Sequence, residues 1–275
     1  MNGSETYEVV VVKYGTRRTT RSDVFLNYPI YGEPDAPIQV DYFFWLIRNQ
    51  ARTIIVDTGF SRAGGGERGR TMLIDPRAAF AALGVSPEDE PLVVVTHGHY
   101  DHIGNLSYFS RSPIVVAKDE IDFWAGPYGQ RRQFHHSVDD EGLECLRAAV
   151  ADGRVSTFQD RLAVSAGIEI LRVGGHTPGQ SVVIVDTAAG RVLIASDAVH
   201  YYEEYQRDMP FMSAASLVDM YRGFDLVRGM LRDARVQHLV TGHDPDTLRR
   251  FPACAGQLAA AAASIGAPGA TGPVS

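Results

Sequence analysis

Between His97 and His102 the chain carries three imidazoles and a carboxylate in six positions, His97-Gly98-His99-Tyr100-Asp101-His102. They follow directly on the apolar run Leu92-Val93-Val94-Val95, which Pro91 and a His/Gly turn bound, so the run reads as a buried strand. Any fold of this chain must therefore deliver four strong metal donors to the loop at one strand's C-terminal end, where a rigid scaffold usually carries its chemistry. Burying those groups without a cation would leave several polar atoms in need of partners at once. Imidazole together with carboxylate suits zinc and related ions.

The pattern recurs downstream. Gly174-Gly175-His176-Thr177-Pro178-Gly179 places a histidine in a Gly/Pro turn between two apolar runs. Val192-Leu193-Ile194-Ala195-Ser196 ends in Asp197, and Leu239-Val240-Thr241-Gly242 ends in His243. Each is an apolar run, a small residue and then a donor, which would gather all the donors on one rim of the sheets. His135, His136, His200 and His238 stay outside this pattern.

Elsewhere, strands are predicted over residues 7–13, 38–48 and 52–56, the last two as a hairpin through Arg48-Asn49-Gln50-Ala51, and over 113–117, 155–157, 168–172, 181–186 and 192–195. Residues 61–71, with Gly64-Gly65-Gly66, read as a mobile loop. Helices are predicted over 76–83, with Asp75 as N-cap and Pro76 first, and over 118–124 and 140–151. Leu217, Met220, Phe224, Val227 and Leu231 recur at helical spacing over 216–233, a stripe that belongs to a core. A last helix is predicted over 257–263, and 265–275 form a small-residue tail with too little apolar bulk to hold itself down.

A chain of 275 residues, 45% of them apolar, can bury a full core as one domain. A net charge of −7 argues against a nucleic-acid backbone as the main substrate. Cys145 and Cys254 alone make no disulfide framework. The first residues lack a basic and an apolar leader segment, and no window is apolar enough to span a membrane, so a cytoplasmic enzyme is expected.

The motif His97-x-His99-x-Asp101-His102, the turn around His176, then Asp197 and Gly242-His243, resembles that of the metallo-β-lactamase superfamily. The resemblance runs from about Tyr7 to about Phe251 and includes Val56-Asp57-Thr58-Gly59. Within the superfamily the chain looks most like the N-acyl homoserine lactone hydrolases, the quorum-quenching lactonases. The supporting features are Ser196-Asp197-Ala198, the aromatic and acidic stretch from Tyr201 to Phe211, and the closing Gly242-His243-Asp244. This implies an α/β fold, an αββα sandwich of two mixed sheets with helices on the outer faces. Residues 1–255 would form a single hydrolase domain and residues 256–275 an Ala/Gly-rich helix and tail. It also implies two divalent metal ions, Zn2+ first, with iron, cobalt or manganese also compatible. By position, His97, His99 and His176 would hold one ion, Asp101, His102 and His243 the other, and Asp197 would bridge them. Asp57 is best read as orienting a ligand, with closure of its strand as an Asx turn the lesser alternative.

The activity so implied is the opening of an acyl-homoserine lactone or related γ-lactone by a hydroxide held between two metals, as at other two-metal sites. Asp101 would carry a proton from nucleophile to leaving alkoxide. Many such lactonases have a tyrosine three residues after the bridging aspartate. Here that position is His200, followed by Tyr201 and Tyr202, and one of these three would hydrogen-bond the substrate carbonyl. The zinc β-lactamases commonly have cysteine where this chain has Asp197. Glyoxalase II follows its aspartate with Thr-Leu-Phe, where this chain has Ala198-Val199-His200. A glyoxalase II-like thioesterase or another small-molecule ester hydrolase is the alternative, ahead of a non-hydrolytic di-metal redox or binding member. The expected partner is a small lactone or ester, with neither nucleic acid nor membrane; a homodimer is compatible. Phe43, Phe44, Trp45, Met72, Phe211 and Met212 are candidates to line the substrate pocket or to fill the core.

Overall fold

Residues on one strand point alternately to opposite faces, and in this protein both faces of nearly every long strand are covered. The structure is a computed structural model and describes residues 5–267. Its strands are β1 (Glu8–Thr20), β2 (Pro37–Arg48), β3 (Thr53–Val56), β4 (Thr71–Met72), β5 (Leu92–Val95), β6 (Ile114–Ala117), β7 (Val155–Phe158), β8 (Arg161–Ser165), β9 (Ile168–Arg172), β10 (Ser181–Thr187), β11 (Gly190–Ser196), β12 (His238–Thr241) and β13 (Ala262–Ile265). One sheet has the order β13-β1-β2-β3-β5-β6-β7, with β4 paired to β1; the other has the order β12-β11-β10-β9-β8. Both are mixed. The pairs β3/β5, β5/β6 and β6/β7 are parallel, as is β11/β12, and the remaining ladders are antiparallel.

The alternation divides the core into three layers. Val9, Val11, Trp45, Val56 and Val94 from the first sheet meet Ile170, Val183, Val185 and Ile194 from the second. On the first sheet's other face, Val10, Phe44, Val93 and Val95 pack with Phe80, Leu143 and Leu146. The latter three come from the helices Pro76–Ala82 and Asp140–Ala151. On the second sheet's other face, Val182, Leu193 and Ala195 pack under Met220, Phe224, Val227 and Met230 of the helix Leu217–Arg232. The result is an αββα sandwich. Leu92-Val93-Val94-Val95 has no polar position because both its faces are covered.

This layering also places the donor-bearing loops. Strands β3, β5, β11 and β12 end at Val56, Val95, Ser196 and Thr241, and Asp57, the His97–His102 segment, Asp197 and His243 follow them. Because β3 and β5 are parallel, and β11 and β12 likewise, their C-terminal ends open onto one edge of the sandwich. The β9–β10 loop brings His176 to the same edge, and Ser181 N–H donates to the Thr96 carbonyl at 3.0 Å across the two sheets.

Three expectations need correction. Residues 61–71 do not form an open loop: Arg62–Glu67 is a helix whose N-cap Ser61 accepts from Gly64 N–H. Gly65 is there because a Cβ would run into the ring of Phe60. The helix expected over 257–263 is a short 3-10 turn, Gly256–Leu258, followed by β13, which pairs antiparallel with β1 from Val9↔Ile265 to Val12↔Ala262. Covering the open edge of β1 outweighs alanine's local helix preference. Strand β8 was absent from the sequence reading, and β1 runs on past Lys13 to Thr20 through a bulge between Lys13 and Gly15. Of the tail expected over 265–275, residues 268–275 lie outside the described residues. No helix among the described residues is long and apolar enough to cross a membrane.

Two glycines of the 62–67 helix separate these readings. Gly66→Ala meets nothing within 4 Å, so it should be neutral or stabilise by up to about 1 kcal/mol. Gly65→Ala, against Phe60, should destabilise by about 1–3 kcal/mol. Urea unfolding of both variants checks this; equal effects would mean the segment is loose.

Candidate metal centre

Asp197 lies at the centre of the cluster. It follows Ser196, whose φ of +46° breaks the line of β11 and turns the next side chain inward. Its Oδ2 is 3.4 Å from His176 Nε2, 3.3 Å from His200 Nε2 and 3.8 Å from His97 Nε2. Its Oδ1 is 3.4 Å from His102 Nε2 and 3.2 Å from His243 Nε2. Asp101 completes the ring, with Oδ1 3.8 Å from His102 Nε2 and Oδ2 3.7 Å from His243 Nε2. All of these side chains are buried. The groups whose donor atoms lie within 4.8 Å of one another are His97/His99/His176, His97/His102/Asp197, Asp101/His102/His243 and His176/Asp197/His200.

The far ring nitrogens decide which atoms face the cluster. His176 Nδ1 is 2.7 Å from the Ser213 carbonyl, His243 Nδ1 is 2.7 Å from the Asp41 carbonyl, and His102 Nδ1 is 2.7 Å from Asp57 Oδ2. Each of these oxygens accepts, so each Nδ1 carries a proton and Nε2 is the nitrogen turned toward the cluster. Asp57 is itself held by Thr96, whose N–H and Oγ1–H donate to it at 2.8 and 2.7 Å. His97 Nε2, His102 Nε2, Asp197 Oδ1 and His200 Nε2 are buried with no hydrogen-bond partner among the described residues. Native interiors rarely leave so many polar atoms orphaned together. A cation among them is the partner they lack, so the residues present fit a metal.

The electrostatics agree. Burial alone would raise the Asp197 carboxyl, but His243, His200 and His102 outweigh it and hold it well below the usual carboxylate range. Burial and neighbouring imidazoles push His97 and His99 well below the ordinary histidine value and His176 down to about 3, so these rings stay neutral. His102 goes the other way: despite burial, Asp197, Asp57 and Asp101 raise it.

One carboxylate outside the cluster joins its loops. Glu120 is fully buried on the helix Lys118–Ala125. Its Oε1 accepts from Gly98 N–H (2.7 Å) and Trp124 Nε1–H (2.6 Å), and its Oε2 accepts from Thr177 Oγ1–H (2.6 Å) and Gly179 N–H (3.0 Å). It therefore fastens the His97–His99 turn to the His176 turn. Sequence reasoning missed it, since nothing in the helix sequence sets Glu120 apart from Asp119 and Asp122.

The cluster forms the floor of a cavity of about 200 Å³. Its wall includes Tyr42, Phe211, Met212, Arg17 and Arg70. A larger and more open depression of about 600 Å³ lies at the opposite ends of β3 and β5, around Asn49–Ile54 and Gly84–Leu92, away from every donor group. Of the pocket candidates, Phe211 and Met212 line the cavity. Phe43, Phe44 and Trp45 are core, and Met72 packs at its edge.

Tyr201 and Tyr202 do not reach the cavity. Their hydroxyls donate to the Gln39 carbonyl (2.9 Å) and the Leu239 carbonyl (3.0 Å), because the short helix Tyr202–Arg207 turns both rings into the core. Tyr42 presents a hydroxyl on the cavity wall, and its ring packs edge-on against His243. Its oxygen accepts from Tyr100, which accepts from Arg70 Nε–H, so the Tyr42 proton stays available. His200 is fully buried, with Nδ1 3.2 Å from Glu204 Oε1 and its ring stacked on Phe211 at 3.8 Å.

The family model described as the metallo-beta-lactamase superfamily matches residues 40–235, a stretch that holds every cluster donor except His243. Among curated relatives, an N-acyl homoserine lactonase of Bacillus sp is 27% identical over 130 residues, 47% of this chain and 46% of that protein. The N-acyl homoserine lactonase AttM of Azorhizobium caulinodans is 29% identical over 181 residues, 63% of this chain and 65% of that one. The matched stretches thus span roughly half to two thirds of those relatives' length. In three dimensions, a quorum-quenching N-acyl homoserine lactone lactonase superposes with a TM-score of 0.74 at 19% identity, covering 88% of this chain and 95% of that one.

Replacing Glu120 tests whether it fastens the two turns. Glu120→Gln sets an amide N–H2 against two N–H or O–H donors. It should lower unfolding stability by about 2–4 kcal/mol, against about 1–2 kcal/mol for Thr177→Val. Denaturant unfolding that leaves Glu120→Gln at wild-type stability would show that the carboxylate is dispensable.

Proposed function

Since the chain belongs to the metallo-beta-lactamase superfamily, we propose that it is a metal-dependent hydrolase that opens a lactone ring, with N-acyl homoserine lactones or a related γ-lactone as substrate. The observation that carries this reading is the donor cluster at the floor of a cavity only large enough for a small molecule. The chemistry of the lactonase relatives supports the choice of lactone. His97, His99 and His176 would hold one divalent ion, Asp101, His102 and His243 a second, and Asp197 would reach both. Such a pair supplies a Lewis acid for a carbonyl oxygen and a nucleophile from water near neutral pH.

The chain's own residues account for the remaining steps. Asp101 stands on the cavity wall with both oxygens directed at the cluster. It takes the proton released as water attacks the carbonyl carbon and returns it to the ring oxygen as the C–O bond breaks. Tyr42 donates its free proton to an oxygen of the substrate, the role the sequence reading gave to His200, Tyr201 or Tyr202. Val24, Val40, Phe211 and Met212 give the acyl portion an apolar wall. A thioester or open-chain ester would use the same groups.

Ring opening of a lactone releases one proton, so a pH-stat assay over short- and long-chain acyl-homoserine lactones decides the reading. Turnover that stops with a chelator and returns with Zn2+ is expected. Fully metallated protein that releases no proton from any lactone but cleaves S-lactoylglutathione would make it a thioesterase instead. Asp101→Asn should keep most of the metal and lose most of the turnover, since an amide cannot shuttle a proton. Tyr42→Phe should lower kcat by about 10²-fold with a small change in KM. Near-normal kcat in either variant removes that residue from the mechanism.

A further inference from the structure

We propose that His200 is an eighth donor of the metal centre, ligating through Nε2 and fixed in that role by the buried carboxylate of Glu204. The inference rests on the reading of the site as a metal centre and adds a residue that the seven-donor set does not contain.

Position comes first. His200 Nε2 is 3.3 Å from Asp197 Oδ2, a distance matched by His176 at 3.4 Å and His243 at 3.2 Å. With His176 and Asp197 it forms a group of three donors within 4.8 Å. Its Nε2 is buried and orphaned, as are those of His97 and His102. The ring cannot swing away, because it is fully buried and stacked on Phe211 at an interplanar angle of 9°.

The other ring nitrogen fixes what Nε2 can do. Nδ1 lies 3.2 Å from Glu204 Oε1 and 3.3 Å from Glu204 Oε2. A carboxylate accepts, so Nδ1 carries a proton and Nε2 is the nitrogen turned toward the cluster. That is the arrangement of His102 with Asp57, and the carbonyls of Ser213 and Asp41 do the same for His176 and His243. Carboxylate–histidine pairs of this kind orient metal ligands. With Nε2 committed to a cation, the substrate-donor role would pass to Tyr42.

Glu204 supports the assignment independently. It is fully buried, a costly place for a carboxylate. Its side-chain partners among the described residues are the N–H and the ring of His200. The helix Tyr202–Arg207 starts early enough after Asp197 to put residue 204 directly behind residue 200. With His200 included, the His97/His99/His176 side of the centre becomes richer in imidazole, which favours zinc, cobalt or iron over manganese.

The test uses Co2+-loaded full-length chain. Metal per chain, competition with a chromophoric chelator and visible d–d absorption are measured, together with circular-dichroism melting of the metal-free proteins. His200→Phe keeps the stacking on Phe211, and pairing it with Glu204→Leu removes the stranded carboxylate. The double variant should hold one of the two ions at least tenfold more weakly and change that ion's absorption. Glu204→Gln should weaken binding by about 10–100-fold, the usual effect of losing a ligand's orienting partner. Wild-type affinity and an unchanged spectrum in the double variant would overturn the assignment while leaving two ions in the centre. Wild-type protein that binds no stoichiometric ion would overturn the metal-centre reading and this inference with it. If the double variant does not fold, the Glu204→Gln spectrum decides: no change from wild type overturns the proposal.

Discussion

One buried carboxylate, Asp197, is surrounded by imidazole nitrogens from loops that leave both sheets. Charge and polarity are costly to bury unless every group finds a counterpart. The sandwich meets that condition only at one edge, where the ends of β5, β11 and β12 and the β9–β10 loop converge. Pairing between the sheets must therefore be right to within a residue. A one-residue slip of β5 would turn the chain leaving Val95 to the other face and take His97 away from Asp197. The apolar interleaving of Val94 with Ile194 and Val183 fixes that register, and the donors depend on it.

Around the cluster lies a shell of fixed acceptors. Asp57, Glu204 and the carbonyls of Ser213 and Asp41 each hold an Nδ1, so the direction of each Nε2 is set before any ion binds. Two turns carry backbone strain at this point, at Asp57 (φ +61°) and Ser196 (φ +46°), where non-glycine residues adopt the left-handed region. Strain of this kind persists where the surroundings over-determine it. Here Thr96 supplies the determination. It bonds Asp57 through both N–H and Oγ1, and its Oγ1 lies 2.9 Å from Ser196 Oγ. One threonine thus locks both strained turns together.

The donors were legible in the sequence because each ends an apolar run, and strand ends at a sheet's edge are a local pattern. Of the carboxylates around them, Asp57 was read but Glu120 and Glu204 were not. Glu120 and Glu204 sit among other acidic residues in short helices, and nothing in the sequence separates the buried glutamate from its solvated neighbours. Tyr42 was hidden for a related reason. It lies inside the strand β2, whose residues from Val40 to Ile47 are all buried, so the sequence points to core. Tyr201 and Tyr202 stood nearer the donor in sequence but turn away in space. Likewise β13 reads as helix by its alanines and becomes strand because β1 has an open edge to cover.

The net charge of −7 describes the surface as a whole and not the field a substrate meets. Arg17, Arg68 and Arg70 line the cavity, and none is within ion-pair distance of a carboxylate among the described residues. Arg68 is spent on the Gly64 and Val138 carbonyls and on the Tyr100 ring, and Arg70 on the Tyr100 hydroxyl and the Arg68 carbonyl. Among the described residues, the Arg17 side chain donates to the hydroxyl of Thr19 through one nitrogen. The mouth thus sets three guanidinium groups against the carboxylate of Asp23, above a floor that holds Asp101 and Asp197. The pull of these guanidinium groups on an approaching anion or carbonyl oxygen falls with ionic strength, because the arginines stand nearer to solvent than the cluster does.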